Sequence, residues 1–353
     1  MEYTFNMSFV QEGRGKPGFC PPGLCMAAPL RGGASWAIMA WIHPPSSGHA
    51  AGSNLFSAGN ATNSVRRAAQ LREHTMIRAD LHTHTNHSHA RDSVRQMFEA
   101  GQAKGLLVQG FSEHSPRPRG YDYPSEYRDH LAATFKDYLA EVEELKKEQE
   151  PLGVTVLLGL EVDWLEEEVP FIRDMIASHP YDYLIAGIHF LGRWGFDASA
   201  CDWEKLGREE RFHLYSRYYR TMKAMAETRL FHIVAHPDLI KIFSVDDFRR
   251  WLALSASMDL VGDALTAVRD AGMAMEISSA GLRKPCHEIY PGPEILHLAW
   301  QIGLPITFAS DSHSTEQVAW SFDTLARYAA SKGWKESLVF RRGEVFPMPF
   351  TAD

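Results

Sequence analysis

Between residues 76 and 353, short apolar runs alternate with longer stretches in which apolar positions recur at helical spacing. Runs of this length, rich in Val, Ile, Leu and Phe, read as buried strands, and the stretches between them read as amphipathic helices. Strands are predicted at 77–82, 106–111, 154–160, 183–188, 232–235, 273–277 and 306–309, with helices at 93–104, 126–148, 208–228, 260–270 and 294–301. Gly105, Gly153 and Gly303 stand where three of these helices must stop before the next strand. Strands alternating with helical stretches describe seven βα units around a parallel sheet, an α/β fold.

Residues 1–75 break this pattern. They are rich in Gly, Ala, Ser, Pro and Asn, show no sustained period, and carry turn formers such as Cys20-Pro21-Pro22-Gly23. Because Met76 directly precedes the first strand-like run, residues 1–75 are read as a disordered or mis-started extension and 76–353 as the catalytic domain. The longest apolar run of the extension, Trp36 to Ile42, is far short of a membrane span. Four scattered cysteines imply no disulfide framework and fit a reducing cytoplasm. A net charge of −8 offers no broad basic surface for nucleic acid, although a local patch can still hold a small phosphorylated molecule.

The 17 histidines change the picture, because several stand at the ends of the apolar runs. The first run ends Asp80-Leu81-His82-Thr83-His84, where two imidazoles two residues apart project from one strand face. The next loop offers His87 and His89, either of which can reach the same face. Later runs end in Glu113-His114, Gly159-Leu160-Glu161, Gly187-Ile188-His189, Ala235-His236-Pro237 and Ser310-Asp311-Ser312-His313. In a parallel barrel the C-terminal strand ends share one rim, so these side chains converge. Buried imidazoles and carboxylates gathered without a cation would be costly to desolvate, so the pattern points to metal.

Together these motifs resemble the PHP superfamily, named for polymerase and histidinol phosphatase, across essentially all of residues 76–353. The resemblance implies a distorted (β/α)7 TIM-like barrel holding three divalent ions (zinc, iron or manganese) at the C-terminal face of its strands. Carried over position by position, it implies nine ligands: His82, His84, His89, His114, Glu161, His189, His236, Asp311 and His313, with His87 competing for the place of His89. The segments Ser112 to Pro118, Gly159 to Trp164, Ile188 to Leu191 and Ser279 to Lys284 are most similar to the histidinol-phosphatase branch. The expected activity is therefore hydrolysis of a phosphomonoester, histidinol phosphate first.

Closely spaced ions suit that reaction because they acidify a shared water and clamp phosphoryl oxygens in an in-line displacement. Glu161, His189 and Asp311 are the expected catalytic residues, Glu161 bridging two ions. Arg283 and Lys284, in a Gly-Leu-Arg-Lys turn, are expected to grip the phosphate at the pocket mouth, with Lys241 and Arg117 as further candidates. Asp80 shares a strand face with His82 and is expected to orient a ligand from behind. The loop from Tyr121 to Tyr127 is expected to face the cationic end of the substrate as a lid. Two other readings stand beside this one: a PHP-type phosphoesterase or nuclease acting on nucleotides, and a metal-stabilised binding scaffold without turnover.

Overall fold

The computed structural model of the chain describes residues 77–122 and 125–352. The 1–75 extension with Cys20 and Cys25, and Tyr123 and Pro124 of the expected lid, lie outside the described residues. In chain order the first elements are β1 (Ala79–Asp80), α1 (Val94–Ala103), β2 (Val108–Phe111), α2 (Ser125–Gln149), β3 (Thr155–Asp163), α3 (Val169–Ala177) and β4 (Tyr183–Gly187). A hairpin of β5 (Phe190–Leu191) and β6 (Trp194–Gly195) follows, then α4 (Ala200–Glu204), α5 (Arg208–Glu227) and β7 (Ile233–Val234). The remainder is α6 (Val245–Leu252), α7 (Ser255–Asp270), β8 (Ala274–Ser278), α8 (Pro293–Gln301), β9 (Ile306–Ala309) and α9 (Phe322–Ala330), ending in the hairpin β10 (Glu336–Arg341) and β11 (Glu344–Pro349).

Every one of the seven predicted strands is present, and they hydrogen-bond as one parallel sheet in the order β1-β2-β3-β4-β7-β8-β9. The two edges of that sheet meet. Leu81 N donates to Phe308 O at 3.4 Å, His84 N donates to Ser312 O at 2.9 Å, and Thr83 bridges Ser312 in parallel register. The result is the expected distorted seven-stranded barrel. β1 is shorter than the 77–82 run because its C-terminal half pairs only through these few closing bonds, whereas β3 runs past residue 160 to Asp163, paired with β4 throughout.

Inside the barrel the Tyr183 ring takes the space that side chains at Gly110 and Gly159 would need, and its hydroxyl donates to Leu81 O at 2.6 Å. Glycine at those strand positions is thus a close-approach requirement. The β10–β11 hairpin packs Val339 and Phe340 into the interior apolar cluster around Ala79, Leu81 and Ile233. Arg342 N donates to Asp182 O at the start of β4, so this hairpin seals the N-terminal end of the barrel and leaves the C-terminal rim open. Gly153 and Gly303 adopt φ of 77° and 70°, the left-handed conformation that ends the preceding helical segments. Among the described residues no single helix is long and apolar enough to cross a membrane, and Cys201 and Cys286 are free thiols.

The helices α3, α4, α6 and α9 and both hairpins were not predicted. Each of these helices and strands is nine residues or shorter, within the length at which periodicity hardly separates helix from loop.

Candidate metal centre

Eight of the nine expected ligands lie close enough together to share cations. His82, His84 and Asp311 form one group, His84, His114 and His313 a second, and Glu161, His189 and His236 a third, with the ligand atoms of each group within 4.8 Å of one another. They come from the ends of β1, β2, β3, β4, β7 and β9, and all but the half-exposed His313 are buried. The rim geometry makes room for them: a side chain at Gly187 would strike the His189 ring and stand 2.7 Å from Glu161 Oε1.

The orientation of three of the imidazoles is set from behind. His82 Nδ1 lies 2.6 Å from Glu276 Oε1, His84 Nδ1 3.1 Å from Glu113 Oε1, and His189 Nδ1 2.7 Å from Asp163 Oδ1. An ionised carboxylate can only accept, so each Nδ1 carries the proton and each Nε2 presents a lone pair to the centre. His82 Nε2 and His84 Nε2 then face each other at 3.0 Å, an arrangement that a cation between them satisfies.

Glu161 divides its oxygens. Oε1 is 3.0 Å from His236 Nε2 and 3.5 Å from His189 Nε2, while Oε2 is 2.9 Å from His114 Nδ1 and 3.4 Å from His82 Nε2. Asp311 sets Oδ1 3.4 Å from His84 Nε2 and accepts a bond from Lys284 Nζ on Oδ2 at 2.9 Å. Burial opposes ionisation of Glu161, but the surrounding imidazoles of His82, His189 and His114 outweigh it and hold its pKa well below the usual carboxylate range. Burial likewise opposes protonation of His189, yet Glu161 and Asp163 raise it to about 9. The His189 shift reports carboxylates that draw positive charge to that ring, a proton where no ion is bound and a cation in its place. The residues also fit divalent ions by what they lack: His114 Nε2 and His313 Nε2 are buried atoms without a hydrogen-bond partner, a costly condition that coordination removes. Asp311 and His236 have φ of 47° and 23°, backbone strain stored at two of the expected ligand positions.

The other expected residues divide. His89 Nδ1 meets the Tyr127 hydroxyl at 2.9 Å and its ring lies 4.3 Å from that of His313, at the edge of the centre but outside the three groups. His87 points away, its Nε2 3.2 Å from Glu141 Oε2. Arg283 and Lys284 line the rim cavity, and Arg283 Nη2 also donates to the carbonyls of Ser310 and Asp311 at 2.8 and 3.1 Å, bracing the strained ligand.

Two phosphate-site expectations are corrected. Lys241 is buried off the cavity, its ammonium 2.7 Å from Asp238 Oδ2 and 2.9 Å from Glu288 Oε2, because the short 3-10 turn after Pro237 rotates it inward. Arg117 is drawn back by Asp163, Nε to Oδ2 at 2.5 Å, and stiffens the carboxylate that orients His189 instead of lining the cavity. Asp80 acts through the backbone: its Oδ1 accepts from Ser310 N at 3.0 Å and its Oδ2 from Ala319 N at 3.1 Å, positioning the segment that carries Asp311. Of the expected lid, Tyr121 is buried against Phe190, Asp122 pairs with Arg128, and Tyr127 reaches the cavity.

That cavity has a volume of ≈ 670 Å³, and beside the expected ligands it is lined by Tyr127, Asp197, Ile242, Phe243 and Pro285. Glu276, Asp197 and Gln317 had no place in the sequence reading. Glu276 had a visible signal, an acid inside the otherwise apolar run at 273–277.

Comparison with known proteins places this geometry. A model of the PHP domain matches residues 80–280, more than half of the chain. A Deinococcus radiodurans protein named "Probable histidinol-phosphatase" is 30% identical over 272 residues, covering 76% of this chain and 98% of that protein. The histidinol-phosphatase of Bacillus subtilis is 28% identical over 276 residues, covering 71% and 98%. Among solved structures, the histidinol phosphate phosphatase of Lactococcus lactis, complexed with zinc, L-histidinol and phosphate, superposes with a TM-score of 0.60 at 19% identity, covering 76% of this chain and 98% of that one.

Proposed function

The chain belongs to the PHP domain family, and from that premise we propose that it is a metal-dependent phosphomonoesterase whose substrate is L-histidinol phosphate. The observation that carries the reading is the match along nearly the whole length of relatives named for this activity, joined to three groups of His, Glu and Asp at the rim that could each hold a cation.

Within it, the proposed ligands are His82, His84, His114, Glu161, His189, His236, Asp311 and His313, with His89 as the ninth, for three divalent ions of the zinc, iron or manganese type. When bound, such ions supply Lewis acidity toward the phosphoryl oxygens and lower the pKa of water. The chain does the rest. Glu161 directs its two oxygens to separate imidazole sets, which supports a bridging role. His189 is fixed by the Asp163 carboxylate, itself held by Arg117, so its Nε2 is presented without rotational freedom. Arg283 and Lys284 stand at the cavity wall as the cationic grip on the phosphate, Lys284 within 2.9 Å of the ligand Asp311. Residues 76–353 are proposed to suffice for activity.

The test is phosphate release from L-histidinol phosphate and from a nucleotide panel, with and without chelator, in the natural chain and in His82→Ala/His84→Ala. Release from histidinol phosphate that is lost in both the chelated enzyme and the double variant is the expected result. Release from nucleotides alone would overturn the substrate, and turnover surviving in the double variant would overturn the site.

A further inference from the structure

Arg283 is a cation whose charge is left over. Arg117 pairs with Asp163, and Lys241 with Asp238 and Glu288. Among the described residues Arg283 makes no such ion pair, and the groups that receive its N–H bonds are neutral: the carbonyls of Ser310 and Asp311 on Nη2, and Ser279 Oγ, 3.5 Å from Nη1. Burial works against that charge. What eases it is an aromatic face: the centroid of the Trp320 ring lies 5.3 Å from Arg283 Cζ. Arg283 lines the rim cavity and Trp320 does not, so the indole backs the guanidinium without taking up ligand space.

Trp320 is held out on a braced segment. Val318 is fully buried, and its carbonyl, like that of Glu316, accepts from the Nζ of Lys104 just past α1. Ala319 N donates to Asp80 Oδ2 at 3.1 Å, and Trp320 N to Gln317 O at 3.0 Å. Both neighbours of Trp320 are left-handed without being glycine, Ala319 with φ of 49° and Ser321 with φ of 58°. Backbone stays in that region only where its surroundings over-determine it. Here the two strained residues leave a large aromatic side chain exposed and lying over a guanidinium, where a relaxed turn would be free to bury it.

We propose that Trp320 is a positioning residue for anion binding: by stacking on Arg283 it fixes the guanidinium at the cavity wall, so that a phosphate group meets a cation already ordered. This rests on the phosphomonoesterase reading, in which Arg283 grips the phosphate, and adds to it the residue that prepares the grip. An arginine free to rotate surrenders that freedom when it binds an anion, and one ordered beforehand does not.

The test titrates inorganic phosphate calorimetrically into the zinc-loaded full chain, as the natural protein, Trp320→Leu, Trp320→Phe, Arg283→Gln and the double variant Trp320→Leu/Arg283→Gln, with bound zinc and thermal midpoint measured on each. Ordering one side chain of this kind corresponds to roughly 3- to 10-fold in affinity. Trp320→Leu is therefore expected to weaken phosphate binding by about that factor at unchanged bound zinc, Trp320→Phe to keep most of the affinity, and Trp320→Leu to have no further effect once Arg283→Gln is present. Unchanged affinity in Trp320→Leu, a loss of fold or of zinc along with phosphate binding, or an equal loss in the Arg283→Gln background overturns the proposal. Phosphate binding is read without turnover, so inactivity of the natural chain on L-histidinol phosphate would refute that substrate and leave the Trp320 result standing.

Discussion

Replacing Glu276 by Gln changes one charge and no volume, which makes it a sharp test of how the centre is held. The two carboxylate oxygens of Glu276 accept from His82 Nδ1 at 2.6 Å and from the backbone N of His236 at 2.7 Å, in a fully buried setting. Glutamine has one carbonyl oxygen for those two donors, so its amide NH2 must oppose one N–H. The substitution removes a charge-assisted bond worth about 1.5–3 kcal/mol and leaves a donor facing a donor. Both donors belong to ligands, so the loss falls on the metal-loaded state. About 1.4–2.8 kcal/mol corresponds to a 10- to 100-fold loss of metal affinity. Dialysis against graded free zinc, followed by bound-metal analysis, measures the affinity, and phosphate release over the same titration shows whether added metal restores turnover. Unchanged affinity in Glu276→Gln would refute the reasoning, because His82 would then be positioned by something other than its carboxylate partner.

Other outcomes follow from the same geometry. Lys241→Ala strands the carboxylate of Asp238 and is expected to destabilise the fold by about 3 kcal/mol, read as a lowered urea midpoint, with KM for the phosphoester unchanged; a raised KM at unchanged stability would return Lys241 to the phosphate site. His89→Gln is expected to lower bound metal per chain while His87→Gln, which breaks only a pairing with the half-exposed Glu141, is not; the opposite pattern would move His87 into the centre.

The convergence of these side chains was readable in the sequence because a parallel barrel brings strand C-termini together, so a His, Glu or Asp ending an apolar run has a known destination. His82, His114, Glu161, His189, His236 and Asp311 all follow that rule. Their supporting partners were not readable, since which carboxylate backs which imidazole depends on register between distant strands. Glu276 and His82 are 194 residues apart, and only the closing of the barrel through β9, which turns β8 and the end of β1 toward one interior, joins them. Lys241 shows the converse error: nearness to His236 in sequence suggested a shared pocket, but one tight turn sends the ammonium to Asp238. Asp197, which lines the cavity, escaped notice because an isolated acid in a loop carries no periodic signal.

The joint between β1 and β9 has a further consequence. The peptide that donates from His84 to Ser312, and the Thr83–Ser312 bridge beside it, are the fastenings of a sheet edge only two residues long, and the same short segments carry His82, His84, Asp311 and His313. Stitching the circumference shut and assembling half of the ion cage are one act. The proposed ions would therefore cross-link the very segments that hold the circumference together.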